Sequence, residues 1–126
     1  MKRPAGSKGQ ATVEMALVLP LLLWLVLGLV DIARMANAML TVQYAAREGV
    51  RAGITGASDA EVEQIARNAG VSLEADRVTV VINPAGTRVT GTDLTVIVSY
   101  RYTFLAMMGL ANTDVQLASQ LTGRVE

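Results

Sequence analysis

Along the 126 residues the hydrophobic and polar positions change pattern twice, from an unbroken apolar run to helical spacing and then to alternation. From Met15 to Val30 sixteen residues pass without a charge. Counted from Ala11, the apolar run is twenty residues long, about 30 Å as a helix and one hydrocarbon thickness. Pro20 lies inside it, and a spanning helix tolerates proline. Beyond Asp31 the pattern turns amphipathic, with Met35, Ala38, Met39 and Val42 at i, i+3, i+4 and i+7. Small residues then take over the same spacing at Ala45/Ala46, Gly49 and Gly53, a smooth stripe against which a helix or sheet can pack closely. No proline or long polar break interrupts 31–50, so the span and the amphipathic segment read as one helix ending near Ile54.

After the break at 54–57, Ser58-Asp59-Ala60-Glu61 has capping-box spacing and predicts a short helix, Ala60 to Ala69, closed by Gly70. Its apolar face is Val62, Ile65, Ala66 and Ala69. The period then drops to two. Arg77–Asn83 and Asp93–Phe104 read as strands, the second alternating Leu94, Val96, Val98, Tyr100 and Tyr102. Asn83-Pro84-Ala85-Gly86-Thr87 and Gly91-Thr92-Asp93 carry turn chemistry between them. Asp114–Val125, with Val115, Leu117, Ser119 and Leu121 alternating, predicts a third strand. The fold class is α+β: a long N-terminal transmembrane helix packed on a small antiparallel β-sheet.

Charge adds an orientation. Lys2, Arg3 and Lys8 stand in the first nine residues with no acid among them, so that end is expected to stay cytoplasmic and the C-terminal part to cross the membrane. Asp31 and Arg34, at i and i+3, read as a solvated pair just outside the bilayer. Composition removes most chemistry. The chain has neither cysteine nor histidine, and its eleven acidic and eleven basic residues cancel. That excludes disulfides and thiolate metal sites, takes away the commonest general base and leaves no electrostatic footprint for nucleic acid. The aspartates are scattered, without calcium-loop spacing. Ser58, Asp59 and Glu61 are accounted for by capping, and Tyr100, Tyr102 and Phe104 on one strand face by core packing. No enzyme, cofactor or metal site is expected.

One residue resists a plain-anchor reading: Glu14, a carboxylate inside the apolar run, where a charge costs a few kcal/mol at mid-span and less toward the ends. A secretory signal peptide cut at Ala36-Asn37-Ala38 is one alternative. A single-span anchor bearing an extracytoplasmic accessory or binding module that never enters a fibre is another. A third accounts for Glu14. Lys8-Gly9-Gln10-Ala11-Thr12-Val13-Glu14-Met15 resembles the prepilin-peptidase site of type IV pilins and pseudopilins. More closely, GQATVEMALVLPLLLWLVLGLVDIARMANAMLTVQYAAREGVRAG resembles the TadE-like family, minor pseudopilins of the tight-adherence (Tad) pilus. Met15 stands where members often carry Phe or Tyr, and a flexible apolar side chain fits a similar pocket.

The resemblance implies a basic leader (residues 1–9) cut between Gly9 and Gln10, a long helix (10–54, spanning about 11–30) and a small α+β extracytoplasmic domain (55–126). It implies Glu14 and Met15 as assembly and register residues. The amine freed at Gln10 lies about 6 Å along the helix axis from Glu14, and can reach the carboxylate of a staggered neighbour. By spacing alone Arg47 and Arg51, four apart, read as surface charges on the face adjoining the stripe; the resemblance makes Arg47, Gly49 and Arg51 a packing or partner element. The implied partners are prepilin peptidase, other pilin or pseudopilin subunits, the inner-membrane assembly platform and membrane lipid. The implied location is the inner membrane, single-pass, with incorporation into a surface pilus.

Overall fold

A computed structural model describes residues 7–105 and 114–126. Lys2 and Arg3, charges of the expected leader, lie outside the described residues, as does the Lys8 side chain. The first helix, α1 (Ser7–Ile54, 48 residues), runs unbroken through Pro20 for about 72 Å. It begins before the expected cleavage bond at Gly9–Gln10 rather than after it. The second, α2 (Asp59–Ala69), starts at a complete capping box. Ser58 Oγ accepts from Glu61 N–H, and the Glu61 carboxylate accepts from Ser58 N–H at 2.8 Å. Gly70 closes it by donating to Ala66 O. Only Val62 and Ala66 of its apolar face are buried. Ile65, expected on that face, is 37% exposed, because the stripe that reaches α1 is narrower than the run of apolar residues.

Three strands follow: β1 (Val78–Asn83), β2 (Asp93–Thr103) and β3 (Asp114–Arg124). They form one antiparallel sheet in the order β1-β2-β3. Arg77, expected to open β1, instead ends a single 3-10 turn, Ala75–Arg77. Register is fixed by pairs such as Val80 with Val98 and Val96 with Leu121. The alternation in β2 sends Leu94, Val96, Val98, Tyr100 and Tyr102 to the helical side, all buried, and leaves Arg101 exposed.

The helices cover one face of the sheet. Along α1 the buried positions are Asp31, Ala38, Val42, Ala45, Ala46, Gly49 and Gly53, the stripe expected from spacing, extended one step toward the span. Gly49 and Gly53 permit the approach. A Cβ on Gly49 would stand 3.1 Å from Val96 Cγ1, and one on Gly53 would run into the Leu94 side chain. On the sheet side, a Cβ on Gly123 would lie 2.6 Å from Val50 Cγ1. These contacts fix direction. Asp31 meets Tyr102 while Gly53 meets Leu94, so α1 runs antiparallel to β2 and parallel to β3. The C-terminal end of β2 therefore faces the apolar span, and the loop joining β1 to β2 lies at the far pole.

Candidate functional site: the helix from Gly9 to Arg51

The helix changes environment abruptly at Asp31. Before it every residue from Gly9 on is exposed except the half-buried Gly28, and Leu17, Leu21, Leu25 and Leu29 present 71, 65, 58 and 59% of their surfaces. An apolar surface of that length in water is the kind a protein covers with lipid or with another subunit. After Asp31 one face is clad by the sheet and α2. The single N-terminal helix is long and apolar enough to cross a membrane.

Glu14 sits one turn into the exposed half. The side-chain amide of Gln10 donates to Glu14 Oε1 at 3.3 Å, an i, i+4 pair along the helix. Gly9 and Gln10 belong to the same continuous helix, and nothing lies within 4 Å of a Cβ built on Gly9. Gly9, Gln10, Glu14 and Met15, the residues expected to be processed and to set register, thus share one exposed helical stretch; Met15 is 66% exposed.

The Arg47, Gly49, Arg51 element is divided. Gly49 points into the core beneath Val96, whereas both arginines are exposed on the opposite side. Among the described residues neither arginine has an ion pair within 4 Å. They continue an outward row with Leu40 and Tyr44, 65 and 55% exposed, at i, i+4, i+7 and i+11.

Asp31 corrects the sequence reading. Its pairing with Arg34 is present at 3.5 Å, but Asp31 is not a solvated charge: it is 1% exposed. Tyr102 Oη donates to the Asp31 carbonyl at 3.0 Å and lies 3.5 Å from Oδ1. The Arg34 guanidinium stands 6.0 Å over the Tyr102 ring, and Phe104 meets that ring edge-on at 5.2 Å. Burial holds the Tyr102 phenol above its ordinary pKa, so it stays a donor; Arg34 acts against the shift and Asp31 adds to it. The signal in the sequence was periodic: Asp31 falls four residues before Met35, on the buried stripe.

A second polar cluster escaped the sequence reading. Arg88 Nη2 bonds Asp59 Oδ1 at 2.7 Å, Arg88 Nη1 donates to Ala57 O, and Gly86 N–H donates to Asp59 Oδ2 at 2.6 Å. Gly86 holds φ +93°, a conformation that favours glycine. Asp59 thus joins the start of α2 to the far-pole loop rather than serving only as a cap neighbour. On the outer face of the sheet a shallow cavity of about 440 Å³ is lined by Arg77, Ser99, Arg101, Asp114 and Gln116, among others.

An exposed apolar stretch that continues as an amphipathic helix over a three-stranded sheet defines a class: a helix long and apolar enough to cross a membrane, joined to a small α+β domain. Comparison with known families gives a more particular result. The model of the family described as TadE-like protein matches residues 9–51, about a third of the chain. That interval runs from the glycine of the expected cleavage site through the exposed span and the outward row to Arg51. It is the TadE-like segment the sequence resembles, and it suggests a Tad-pilus-associated protein. Neither the curated proteins nor the solved structures contain a significant match.

Proposed function

We propose that this chain is a TadE-like minor pseudopilin, a non-enzymatic structural subunit that takes part in assembling a Tad-type pilus or a related secretion pseudopilus. A prepilin peptidase cuts it between Gly9 and Gln10. Its span stays in the inner membrane with the N-terminus cytoplasmic and residues 55–126 outside, until the assembly platform draws it into contact with other pilin or pseudopilin subunits. The observation that carries this reading is the division of one rigid helix into a bare apolar half and a clad half. A helix that holds its own domain with one half leaves the other free for lipid first and for neighbouring helices afterwards.

Glu14 has a role in that exchange. In the uncut chain Gln10 satisfies it along the same helix. The cut turns the Gln10 nitrogen into a charged amine, and a staggered neighbour can offer that amine to Glu14. A buried carboxylate with such a partner costs much less than one alone, so the pair sets the axial register of entry. The bond to be cut lies inside the helix, so the peptidase must open its first turn. The outward row of Leu40, Tyr44, Arg47 and Arg51 gives the extracytoplasmic half a surface for neighbouring subunits.

The experiment is complementation in cells that hold the cognate peptidase, scoring intact mass, membrane level and fibre output. The mature chain is expected to start at Gln10. Glu14→Ala is expected to be cut and inserted normally yet to fail in assembly, with Glu14→Asp partly active. A mature start at Met1 or Met39, or full fibre output from Glu14→Ala, overturns the proposal; an uncut chain points to the anchored accessory module.

A further inference from the structure

The direction of β2 has a consequence at the bilayer surface. Because β2 is antiparallel to α1, its last residues, to Thr103, run toward the span, and Tyr102 is itself tied to Asp31, the first residue after the uncharged run. Thr103 extends the strand one residue past that tie, and at no more than ~3.3 Å per residue the bend at Leu105 lies within roughly 10 Å of it. This is the depth at which interfacial segments sit, between the headgroups and the acyl chains. What stands there is apolar: Phe104, half-buried with its edge on Tyr102, and Leu105, 49% exposed. Thr103 is paired with Asp114, its Oγ1 2.8 Å from Asp114 Oδ1, so both ends of the β2–β3 connection lie at this end of the sheet. From Phe104 to Thr113 the sequence, FLAMMGLANT, has no charge. The connection at the far pole carries Arg88 instead.

The surroundings match a membrane–water boundary. Tyr102 has its ring among apolar groups and its hydroxyl on Asp31. Arg34, half exposed over that ring, and Arg101, exposed on the outer face, are placed to meet lipid headgroups. Aromatic rings and long cationic side chains collect at that depth because each has an apolar body and a polar tip. Among the carboxylates near these groups Asp31 is engaged by Tyr102 and Arg34, and Asp114 by Thr103, while Asp76 lines the same outer-face cavity as Arg101.

We propose that this end of the domain is a second membrane contact, with Phe104 and Leu105 seated in the phospholipid interface of the bilayer that α1 spans. The proposal rests on reading α1 as a membrane span. Two points of attachment, the helix and the sheet end, hold the domain at one tilt on the membrane, whereas a single helix leaves it free to rock.

The chain has no cysteine, so single cysteines can be placed and labelled with an environment-sensitive nitrobenzoxadiazole dye. The positions are Leu105→Cys, Leu21→Cys in the span and Val89→Cys at the far pole, each in the full chain in phosphatidylcholine–phosphatidylglycerol vesicles. Acyl chains carrying nitroxide quench from within the bilayer, and iodide quenches from water. The expected result is lipid-side quenching at 21 and 105 with little from iodide, and the reverse at 89. If 21 is quenched by lipid but 105 behaves like 89, the second contact does not exist. If 21 also escapes lipid quenching, the spanning reading fails and takes the proposal with it.

Discussion

Replacing Gly53 by alanine tests the packing that joins the helix to the sheet. The new Cβ runs into the Leu94 side chain and lies 3.5 Å from Val62 Cγ2. Leu94 and Val62 are both 0% exposed, so neither can swing into solvent. Forcing a methyl into a filled core costs about 1–3 kcal/mol. Against that stands the helix preference of alanine over glycine, up to about 1 kcal/mol in a helix interior. Gly53 is the next-to-last residue of α1, where that gain is smallest. The net expectation for Gly53→Ala is a loss of roughly 1–2 kcal/mol. Gly49→Ala differs in sign-determining detail. Its Cβ stands 3.1 Å from Val96 Cγ1 and 3.4 Å from Ala66 Cβ, a shift of tenths of an ångström, and the position is interior to the helix. The two terms nearly cancel there. Gly28→Ala, with nothing within 4 Å, is the control. The assay is urea unfolding of the full chain in detergent micelles, followed by the circular dichroism of the sheet. Gly53→Ala as stable as Gly49→Ala would refute the close approach of α1 to β2.

Tyr102→Phe should change the alkaline limb of stability. The phenol's pKa is raised by burial above its usual value of 10.0, so its contribution is intact below about pH 10 and is lost as pH rises through the folded value. The phenylalanine variant should lose about 1 kcal/mol at neutral pH with the hydroxyl bonds, and its alkaline fall should flatten; an unchanged fall in pH-dependent melting would count against the Asp31–Tyr102 tie. Asp59→Ala removes the partner of Arg88, whose side chain is 7% exposed against 33% for Asp59. The loss should be about 2 kcal/mol, less than the 3–5 kcal/mol of a fully buried pair because Asp59 is partly wet; a melting temperature within error of the wild type would show that the far-pole clamp carries no stability.

The parts of this protein legible in its sequence are those set by local spacing. An uncharged run of bilayer length needs no partner to be recognised, because its signal is its own hydropathy. The capping box at Ser58–Glu61 and the alternation of β2 are likewise written within a few residues, and each appears where its pattern stands. The small-residue stripe announced that something would pack on α1 without saying what. It is the sheet, reached through Gly53 on the helix and Gly123 on β3, glycines seventy positions apart. The fate of Asp31 was decided only by chain reversal. Its donor is Tyr102, seventy-one residues away, and the same aspartate is a solvated charge or a buried anchor according to whether the end of β2 arrives there. Arg88 is equally opaque, since its partner Asp59 is twenty-nine residues off and belongs to a different element. Local patterns determine which stretches become helix, strand and span, because backbone periodicity and hydropathy act over a few residues. The contacts of polar side chains across elements are determined by the direction in which those elements pack, and here that direction also decides which end of the sheet lies toward the exposed apolar half of α1.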